Sequence, residues 1–186
     1  MPARQAAGSV AAPRWPWLVH LLNAGLLLGL VIYALASYDA LPPRLPLHFD
    51  AAGQPDRWAD KSWSTWLALP LVAVGLTALL YLASGLVALA RRKPKLLSLP
   101  QKEKFLALPA AQQEPVWQRL RSIPRWLAVP TNGLMLYAQL SIATTASSGG
   151  SMAVWPLLLL VGVMGAITIG ITVSMVRAVR RAVERS

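Results

Sequence analysis

The chain has 186 residues, of which 55% are hydrophobic and only 13% are charged. Soluble domains carry roughly 25% charged residues, so this composition excludes an ordinary soluble domain and indicates a membrane protein. The formal net charge is +11, and the absence of cysteine excludes disulfides, thiolate metal ligands and a cysteine nucleophile.

Four apolar stretches follow a short N-terminal segment. Residues 1–14 are mostly small residues and proline, and they are predicted to form a disordered cytoplasmic tail. The four stretches contain no Asp, Glu, Lys or Arg and occupy residues 17–37, 66–90, 126–145 and 154–176. About 20 apolar residues in helical form span a bilayer, and lipid offers the backbone no hydrogen bonds. The predicted fold class is therefore an all-α membrane protein with four transmembrane helices in a membrane domain of residues 15–176.

The first apolar stretch also has features of a cleavable signal peptide. Basic residues precede it, and Ala34-Leu35-Ala36 resembles a cleavage site. The apolar core of a signal peptide has about 7–15 residues, whereas the run that starts at Leu18 is longer. A retained helix is therefore favoured over cleavage, although His20 and Asn23 shorten the strictly apolar part of the run.

Basic residues concentrate on one side of the predicted membrane domain. Most of them lie in the loop of residues 91–125 and in the tail of residues 177–186, whereas residues 38–65 contain three basic residues and four Asp. The positive-inside rule predicts that both termini and the loop of residues 91–125 are cytoplasmic, in a bacterial inner membrane, with residues 38–65 outside. We expect the basic residues to contact the lipid bilayer through its anionic head groups, and not nucleic acid.

Two short amphipathic helices are predicted in the cytoplasmic loop, over Pro100–Leu108 and Gln112–Ile123. Their apolar residues recur at helical spacing, with lysine and arginine off the apolar face. Pro109 and Pro124 are predicted to end them, because proline disfavours helix in the residue before it. We expect this cytoplasmic amphipathic helical hairpin to lie on the inner leaflet, with docking of a cytoplasmic partner as the alternative.

Four polar side chains lie within the apolar stretches, namely His20, Asn23, Asn132 and Gln139. Asn132 and Gln139 are seven residues apart and therefore share a helix face. We interpret all four as helix-packing residues that form interhelical hydrogen bonds. A transport pathway normally carries an ionisable group at mid-membrane, and the sequence has none at that depth, so a transporter is not predicted.

The loop of residues 38–65 has the pattern of a compact folded segment. Leu45, Leu47 and Phe49 alternate with other residues as in a β-strand. Neighbouring prolines restrict that strand to a short edge piece, because proline cannot donate a hydrogen bond to a sheet.

Turn and capping residues follow the predicted strand. Gly53 is predicted to adopt a positive φ in a turn, and Gln54-Pro55-Asp56 is predicted to form a second turn. Asp60 or Ser62 is expected to cap the second transmembrane helix, because a side-chain oxygen there can accept from the first free N–H groups.

The same loop carries a motif of nine residues, namely Leu41, Pro42, Pro46, His48, Phe49, Asp50, Gly53, Asp56 and Lys61. This motif resembles the signature of the bacterial domain-of-unknown-function family 1648. The cytoplasmic sequence KEKFLALPAAQQEPVWQRL is similar to a loop in many members of that family. The chain is also distantly similar to the N-terminal part of Bacillus membrane proteins that confer immunity to a secreted peptide toxin and hold a transcriptional repressor at the membrane. Those proteins have further C-terminal helices with a motif of their own, which the third and fourth stretches of this chain lack.

The resemblance implies a function without catalysis. It suggests an immunity-like, regulatory or accessory component of the bacterial inner membrane, which acts through contacts with a membrane-protein or peptide partner. One alternative is an accessory subunit of a larger membrane complex. Another is a metal-binding or catalytic loop.

The metal alternative rests on three residues of the loop. His48, Asp50 and Asp56 could offer one imidazole and two carboxylates to a divalent cation. In the structural alternative Asp50 closes its turn, Asp56 pairs with Arg57 or Lys61, and His48 packs on Trp58. No enzyme and no cofactor is predicted, because neither an oxyanion motif nor a nucleophile elbow accompanies these residues.

Overall fold

The computed structural model of the chain describes residues 17–93 and 101–184. The tail predicted for residues 1–14 lies outside them. The described residues form five α-helices, a short 3-10 helix and two strands, in the order α1 (Leu18–Ser37), 3-10 helix (Tyr38–Ala40), β1 (Arg44–Phe49), β2 (Pro55–Asp60), α2 (Trp63–Arg92), α3 (Lys102–Ala107), α4 (Ala110–Ser148) and α5 (Val154–Glu184). Most of the predicted tail of residues 177–186 thus continues α5.

Three of the described helical segments are long and apolar enough to cross a membrane. They are Leu18–Ala40, Trp63–Arg92 and Val154–Arg181. Large apolar side chains point away from the protein along all three; Leu28, for example, is 61% exposed and Leu71 is 67% exposed. Such exposure suits lipid contact, because a soluble protein rarely leaves apolar surface of this extent uncovered. The predicted third span, residues 126–145, is not among the three and forms part of α4.

Helix α4 is the centre of the bundle. It contacts α1, α2, α5 and β1. Its buried residues after the first three turns are mostly small or polar: Ala128, Pro130, Thr131, Asn132, Gln139, Ser141, Ala143 and Thr145. These residues face other helices and not lipid, which explains why α4 is less apolar than its three neighbours. Small and polar residues allow close helix packing and hydrogen bonds between helices.

The prediction that Pro124 ends a short helix is wrong. Helix α4 runs without interruption from Ala110 to Ser148, through Pro115, Pro124 and Pro130. A proline inside a helix removes one N–H donor and frees a carbonyl, which neighbouring helices can satisfy in a packed bundle. The 39 residues of α4 correspond to about 58 Å at 1.5 Å per residue, roughly twice the hydrocarbon thickness of a bilayer.

The bundle therefore has two distinct ends. The hairpin end holds β1, β2 and the loop between α4 and α5. The basic end holds the last turns of α2 and α5, the first turns of α4, and α3. At the basic end, Phe105, Leu108, Val116, Trp117 and Val179 form a buried apolar cluster.

This basic-end cluster contradicts the expectation that the two amphipathic segments lie on the inner leaflet. Phe105 of α3 is fully buried, and Val116 and Trp117 of α4 are each 2% exposed. Their apolar faces contact each other and Val179 of α5, so these faces are covered by protein. Arg91 also forms an ion pair with Glu114, with Nη1 and Oε2 2.8 Å apart, across α2 and α4.

A second apolar cluster joins the hairpin to the bundle. It contains Ala34, Leu41, Leu45, Trp66 and Ala143, from α1, β1, α2, α4 and the segment before β1. The indole Nε1 of Trp66 donates to the carbonyl of Ala34 at 2.7 Å. The hairpin is therefore anchored through the same residues that hold the helices together.

Candidate functional site

The two strands pair antiparallel into a hairpin. Their register runs from Arg44 opposite Asp60 to Phe49 opposite Pro55. The predicted strand thus corresponds to β1, but the predicted second turn at Gln54-Pro55-Asp56 is wrong, because β2 begins at Pro55. A proline is tolerated as the first residue of a strand, since it has no N–H to contribute to the ladder.

The pairing is irregular at two positions. Pro46 lies opposite Trp58 and His48 lies opposite Arg57, so Leu47 is an extra residue on β1. A compensating irregularity follows, which makes Asp56 the extra residue on β2. Extra residues of this kind bend a strand and change the direction of its side chains.

These irregularities overturn the predicted alternation of side chains. Leu45 is 1% exposed and Pro46 is also buried, whereas Leu47 is 49% exposed. A regular strand would have placed Leu45 and Leu47 on the same face. The alternation visible in the sequence gives no sign of the bulge, apart from the proline that precedes Leu47.

Asp50 and Gly53 build the turn between the strands. The Oδ1 atom of Asp50 accepts hydrogen bonds from the backbone N–H groups of Ala52 and Gln54, each at 2.8 Å. The N–H of Gly53 donates to the carbonyl of Asp50 at 2.9 Å. Gly53 has φ +79°, as expected for its turn, and this conformation favours glycine.

The turn is also fixed to the rest of the chain. The N–H of Met152, in the loop between α4 and α5, donates to the carbonyl of Gly53 at 2.8 Å. A Cβ atom on Gly53 would lie 2.0 Å from the carbonyl oxygen of Met152, so only glycine fits. The two connections at the hairpin end therefore form one unit.

Lys61 and Ser62 hold the base of the hairpin. The ammonium group of Lys61 donates to the carbonyls of Leu41 at 2.9 Å and of Tyr38 at 3.4 Å, and it lies 5.1 Å from the centre of the Tyr38 ring. Ser62 caps α2 by accepting from the N–H of Thr65 at 3.1 Å, and so it takes the role that was expected of either Asp60 or Ser62.

His48 and Asp56 form a hydrogen-bonded pair at the surface. The Nδ1 atom of His48 lies 2.7 Å from Oδ1 of Asp56, and the two side chains are 58% and 48% exposed. Asp56 thus pairs with His48, and not with Arg57 or Lys61 as the structural alternative held. The bulge at Asp56 accounts for this, because it turns the carboxylate toward β1.

The third metal candidate does not join this pair. The Oδ1 atom of Asp50 already accepts two backbone hydrogen bonds in the turn. Within residues 17–93 and 101–184, no three His, Cys, Asp or Glu side chains come together in a group that could hold a metal ion.

The nine motif residues therefore divide into two groups. Leu41 and Pro46 are buried, Pro42 and Phe49 are half-buried, and Asp50, Gly53 and Lys61 make the backbone contacts of the turn and the base. His48 and Asp56 contact each other and are otherwise exposed. Leu47, the residue before His48, is also exposed. We call Leu47, His48 and Asp56 the hairpin patch.

The polar residues of the helices lie elsewhere, inside the bundle. Asn132 donates to Asn23 Oδ1 at 3.0 Å and accepts from the Thr77 hydroxyl at 2.9 Å, which links α1, α2 and α4. The Nδ1 atom of His20 lies 3.0 Å from the hydroxyl oxygen of Tyr81.

Gln139 compensates for a proline in α2. Its Nε2 donates to the carbonyl of Trp66 at 3.0 Å. That carbonyl lies four residues before Pro70, which has no N–H to donate to it. The sequence positions of Gln139 and Pro70 do not predict this hydrogen bond, because it depends on how α2 and α4 pack together.

Two aromatic residues pack together beside the hairpin. The rings of Tyr38 and Trp63 stack with centroids 3.6 Å apart and an angle of 14°. Trp63 is 46% exposed at the start of α2, where an aromatic residue at the membrane interface is expected.

Comparison with known proteins finds a family match for the part of the chain that contains the hairpin. Residues 25–74 match the family described as domain of unknown function (DUF1648). The match covers most of α1, the whole hairpin and the first turns of α2, and it agrees with the resemblance carried by the nine motif residues. No curated protein and no solved structure matches the chain.

Proposed function

Because the chain contains a DUF1648 domain whose motif builds a rigid hairpin, we propose that it is a non-catalytic multi-pass membrane protein that acts through contacts of this hairpin with another protein or with a peptide. The observation that carries the proposal is the hairpin patch. Leu47, His48 and Asp56 are exposed, whereas the other seven motif residues are buried or half-buried or make contacts within the fold.

The rigidity of the hairpin supports a binding role. Hydrogen bonds from Met152 and Lys61 and the buried side chain of Leu45 hold it against the bundle at three places. A surface that is already ordered loses little conformational entropy when a partner binds, which favours affinity. The exposed side chain of Leu47 offers apolar contact, and the exposed side chains of His48 and Asp56 offer hydrogen bonding.

We also propose four membrane crossings with both termini cytoplasmic. The contacts of α4 with α1, α2 and α5 support a crossing by this less apolar helix, since its polar residues are covered by the other three. Lysine and arginine concentrate at the basic end, which suits the cytoplasmic side of a bacterial inner membrane. The hairpin patch would then face outward.

The outward position favours a role like that of an immunity, regulatory or accessory protein. A partner that reaches the patch must be a secreted peptide or the exposed part of another membrane protein. The alternative of a metal-binding or catalytic loop has less support, because the pair of His48 and Asp56 has no third ligand among the described residues.

Site-specific photo-crosslinking in native membranes tests the proposal. With the photoreactive residue at position 47, we expect one discrete protein or peptide adduct. With the same residue at Leu79, which is 61% exposed on a membrane helix, we expect lipid adducts alone. The Asp56→Ala variant should reduce the adduct at position 47, whereas Asp60→Ala, an exposed carboxylate on the same strand, should not. An unchanged yield in the Asp56→Ala variant, or no adduct at position 47, would reject the proposal.

A further inference from the structure

The basic end contains an arginine that is held in a fixed orientation by a buried serine. Nε of Arg125 in α4 donates to Oγ of Ser84 in α2 at 2.8 Å. Ser84 is fully buried, and its hydroxyl donates in turn to the carbonyl of Arg121 at 2.6 Å. The guanidinium is therefore oriented through one nitrogen by a side chain inside the bundle.

The remaining nitrogens of Arg125 have no protein partner in the described part of the chain. The close contacts between basic and acidic side chains there join His48 with Asp56 and Arg91 with Glu114, and neither includes Arg125. A guanidinium bound through Nε keeps its two terminal nitrogens side by side. This fork matches two oxygens of one phosphate group.

Helix geometry places Arg125 near the boundary between hydrocarbon and head groups. About 30 Å of hydrocarbon corresponds to 20 helical residues, and counting these from Trp63 at the hairpin end of α2 reaches residue 83, next to Ser84. Trp126, the next residue along α4, suits the same depth, since tryptophan is enriched at this interface.

Neighbouring polar groups extend the site across α1 and α2. The amide of Asn23 donates to the carbonyl of Arg125 at 3.0 Å and contacts the hydroxyl oxygen of Tyr81 at 3.4 Å. The exposed imidazole of His20 lies 3.0 Å from the same hydroxyl oxygen. Arg125 thus belongs to a polar cluster at the lipid boundary that contains positive charge and no carboxylate among its described residues.

From these contacts we infer that Arg125, oriented by Ser84, binds the phosphate of an anionic lipid head group at the basic end of the bundle. A partly buried guanidinium without a carboxylate needs an anion, and lipid phosphate is the anion present at this depth. The excess of basic residues nearby raises the local concentration of anionic lipid. It does not supply the two-pronged contact for which Ser84 orients Arg125.

Native mass spectrometry of the full chain in detergent tests this inference, with added phosphatidylglycerol or phosphatidylcholine. We expect the wild-type protein to bind one phosphatidylglycerol more tightly than phosphatidylcholine. Arg125→Gln should weaken that binding about tenfold, as expected for the loss of a hydrogen bond between charged groups. Arg92→Gln, which removes an exposed arginine from the end of α2, should leave it unchanged.

Two further variants keep the test decisive if Arg125→Gln does not fold. Arg125→Lys retains the charge but not the fork, and Ser84→Ala retains the arginine but not its orientation, so both should weaken phosphatidylglycerol binding while Arg92→Gln does not. Equal affinity in Ser84→Ala and wild-type protein overturns the inference, as does equal binding of phosphatidylcholine. Displacement of the lipid by inorganic phosphate would assign the site to a free anion and overturn the lipid assignment.

Discussion

The carbonyl of Gly53 accepts a hydrogen bond from the N–H of Met152, 99 residues later in the chain, at 2.8 Å. This contact fastens the turn of the hairpin to the loop between α4 and α5. Gly53 lies within the residues that match the DUF1648 family and Met152 lies outside them, so the family domain is completed here by the C-terminal half of the chain.

The first prediction concerns this contact. Gly53→Ala should destabilise the protein by about 2–4 kcal/mol, because the substitution adds a positive-φ penalty and a clash with the carbonyl of Met152. Gly149→Ala is a matched control, since Gly149 has φ +67° with open space around its Cβ position, and it should lose about 1–2 kcal/mol. Thermal unfolding in detergent measures both, and equal losses would contradict the close approach.

A second prediction separates two aspartates of the motif. Asp50→Ala should cost about 1–2 kcal/mol, because it removes the acceptor of two backbone hydrogen bonds. Asp50→Asn should recover most of this loss, since the amide keeps an acceptor oxygen. Asp56→Ala should cost less than about 1 kcal/mol, because its contact with His48 is exposed to solvent and stabilises little. Chemical unfolding of the three variants checks the order, and an Asp56→Ala loss as large as that of Asp50→Ala would disprove it.

The third prediction tests the polar contacts between helices. Asn132→Ala should lower the free energy of unfolding by about 1–2 kcal/mol, because it leaves Asn23 and Thr77 without their partner inside the bundle. Thr168→Ala is the control, since its exposed hydroxyl bonds only to the carbonyl of Met164 in the same helix. Unfolding in mixed detergent micelles measures the difference. If both variants were equally stable, the contacts of Asn132 would not hold the helices.

The fourth prediction concerns the basic-end cluster. Trp117→Ala should cost about 3–5 kcal/mol and expose the region around α3 to protease, because this ring is buried against Phe105. Trp155→Ala should have little effect, since Trp155 is 68% exposed. Limited proteolysis compares the two. Unchanged cleavage in Trp117→Ala would favour the earlier idea that these segments lie on the lipid surface.

The fifth prediction tests the proposed crossings. The chain has no native cysteine, so a thiol reagent can label only the cysteine that is introduced. Single cysteines at Gln54 and Ser147, both exposed at the hairpin end, should react with an impermeant thiol reagent in intact cells. A cysteine at Gln112, exposed near the start of α4, should react only after the membrane is permeabilised. Labelling of positions 112 and 147 from the same side would mean that α4 does not cross.

The sequence predicts α1, α2 and α5 well because each of them is a continuous apolar stretch. Most of their surface is not covered by other helices and is apolar, as suits lipid contact, so apolar residues fill nearly the whole length. Helix α1 spans Leu18–Ser37, where an apolar stretch of residues 17–37 was predicted. Helix α4 is less apolar, because the other helices cover its small and polar residues. Its continuation through Pro124 depends on contacts that residues distant in the chain provide.

The same difference applies to the hairpin. The positive φ of Gly53 and the cap at Ser62 follow from local chemistry, and the sequence predicts them. The exposure of Leu47 and the partner of Asp56 depend on two bulges, which arise from how β1 and β2 fit together. Alternation of residue types assumes a regular ladder, so it gave the wrong face for Leu47. The partners expected for Asp56 were basic residues close to it in the chain, whereas its actual partner, His48, lies on the other strand.

The composition of α4 has a consequence for how the protein is assembled. Asn132 and Gln139 would each leave polar groups unsatisfied in hydrocarbon if α4 entered lipid alone, at a cost of several kcal/mol. Asn23 and Thr77 bond to Asn132, and the free carbonyl of Trp66 accepts from Nε2 of Gln139. All three partners belong to α1 and α2, which are made earlier in translation. If α4 crosses the membrane, we therefore expect α1 and α2 to be inserted first, so that these partners are in place when the ribosome completes α4.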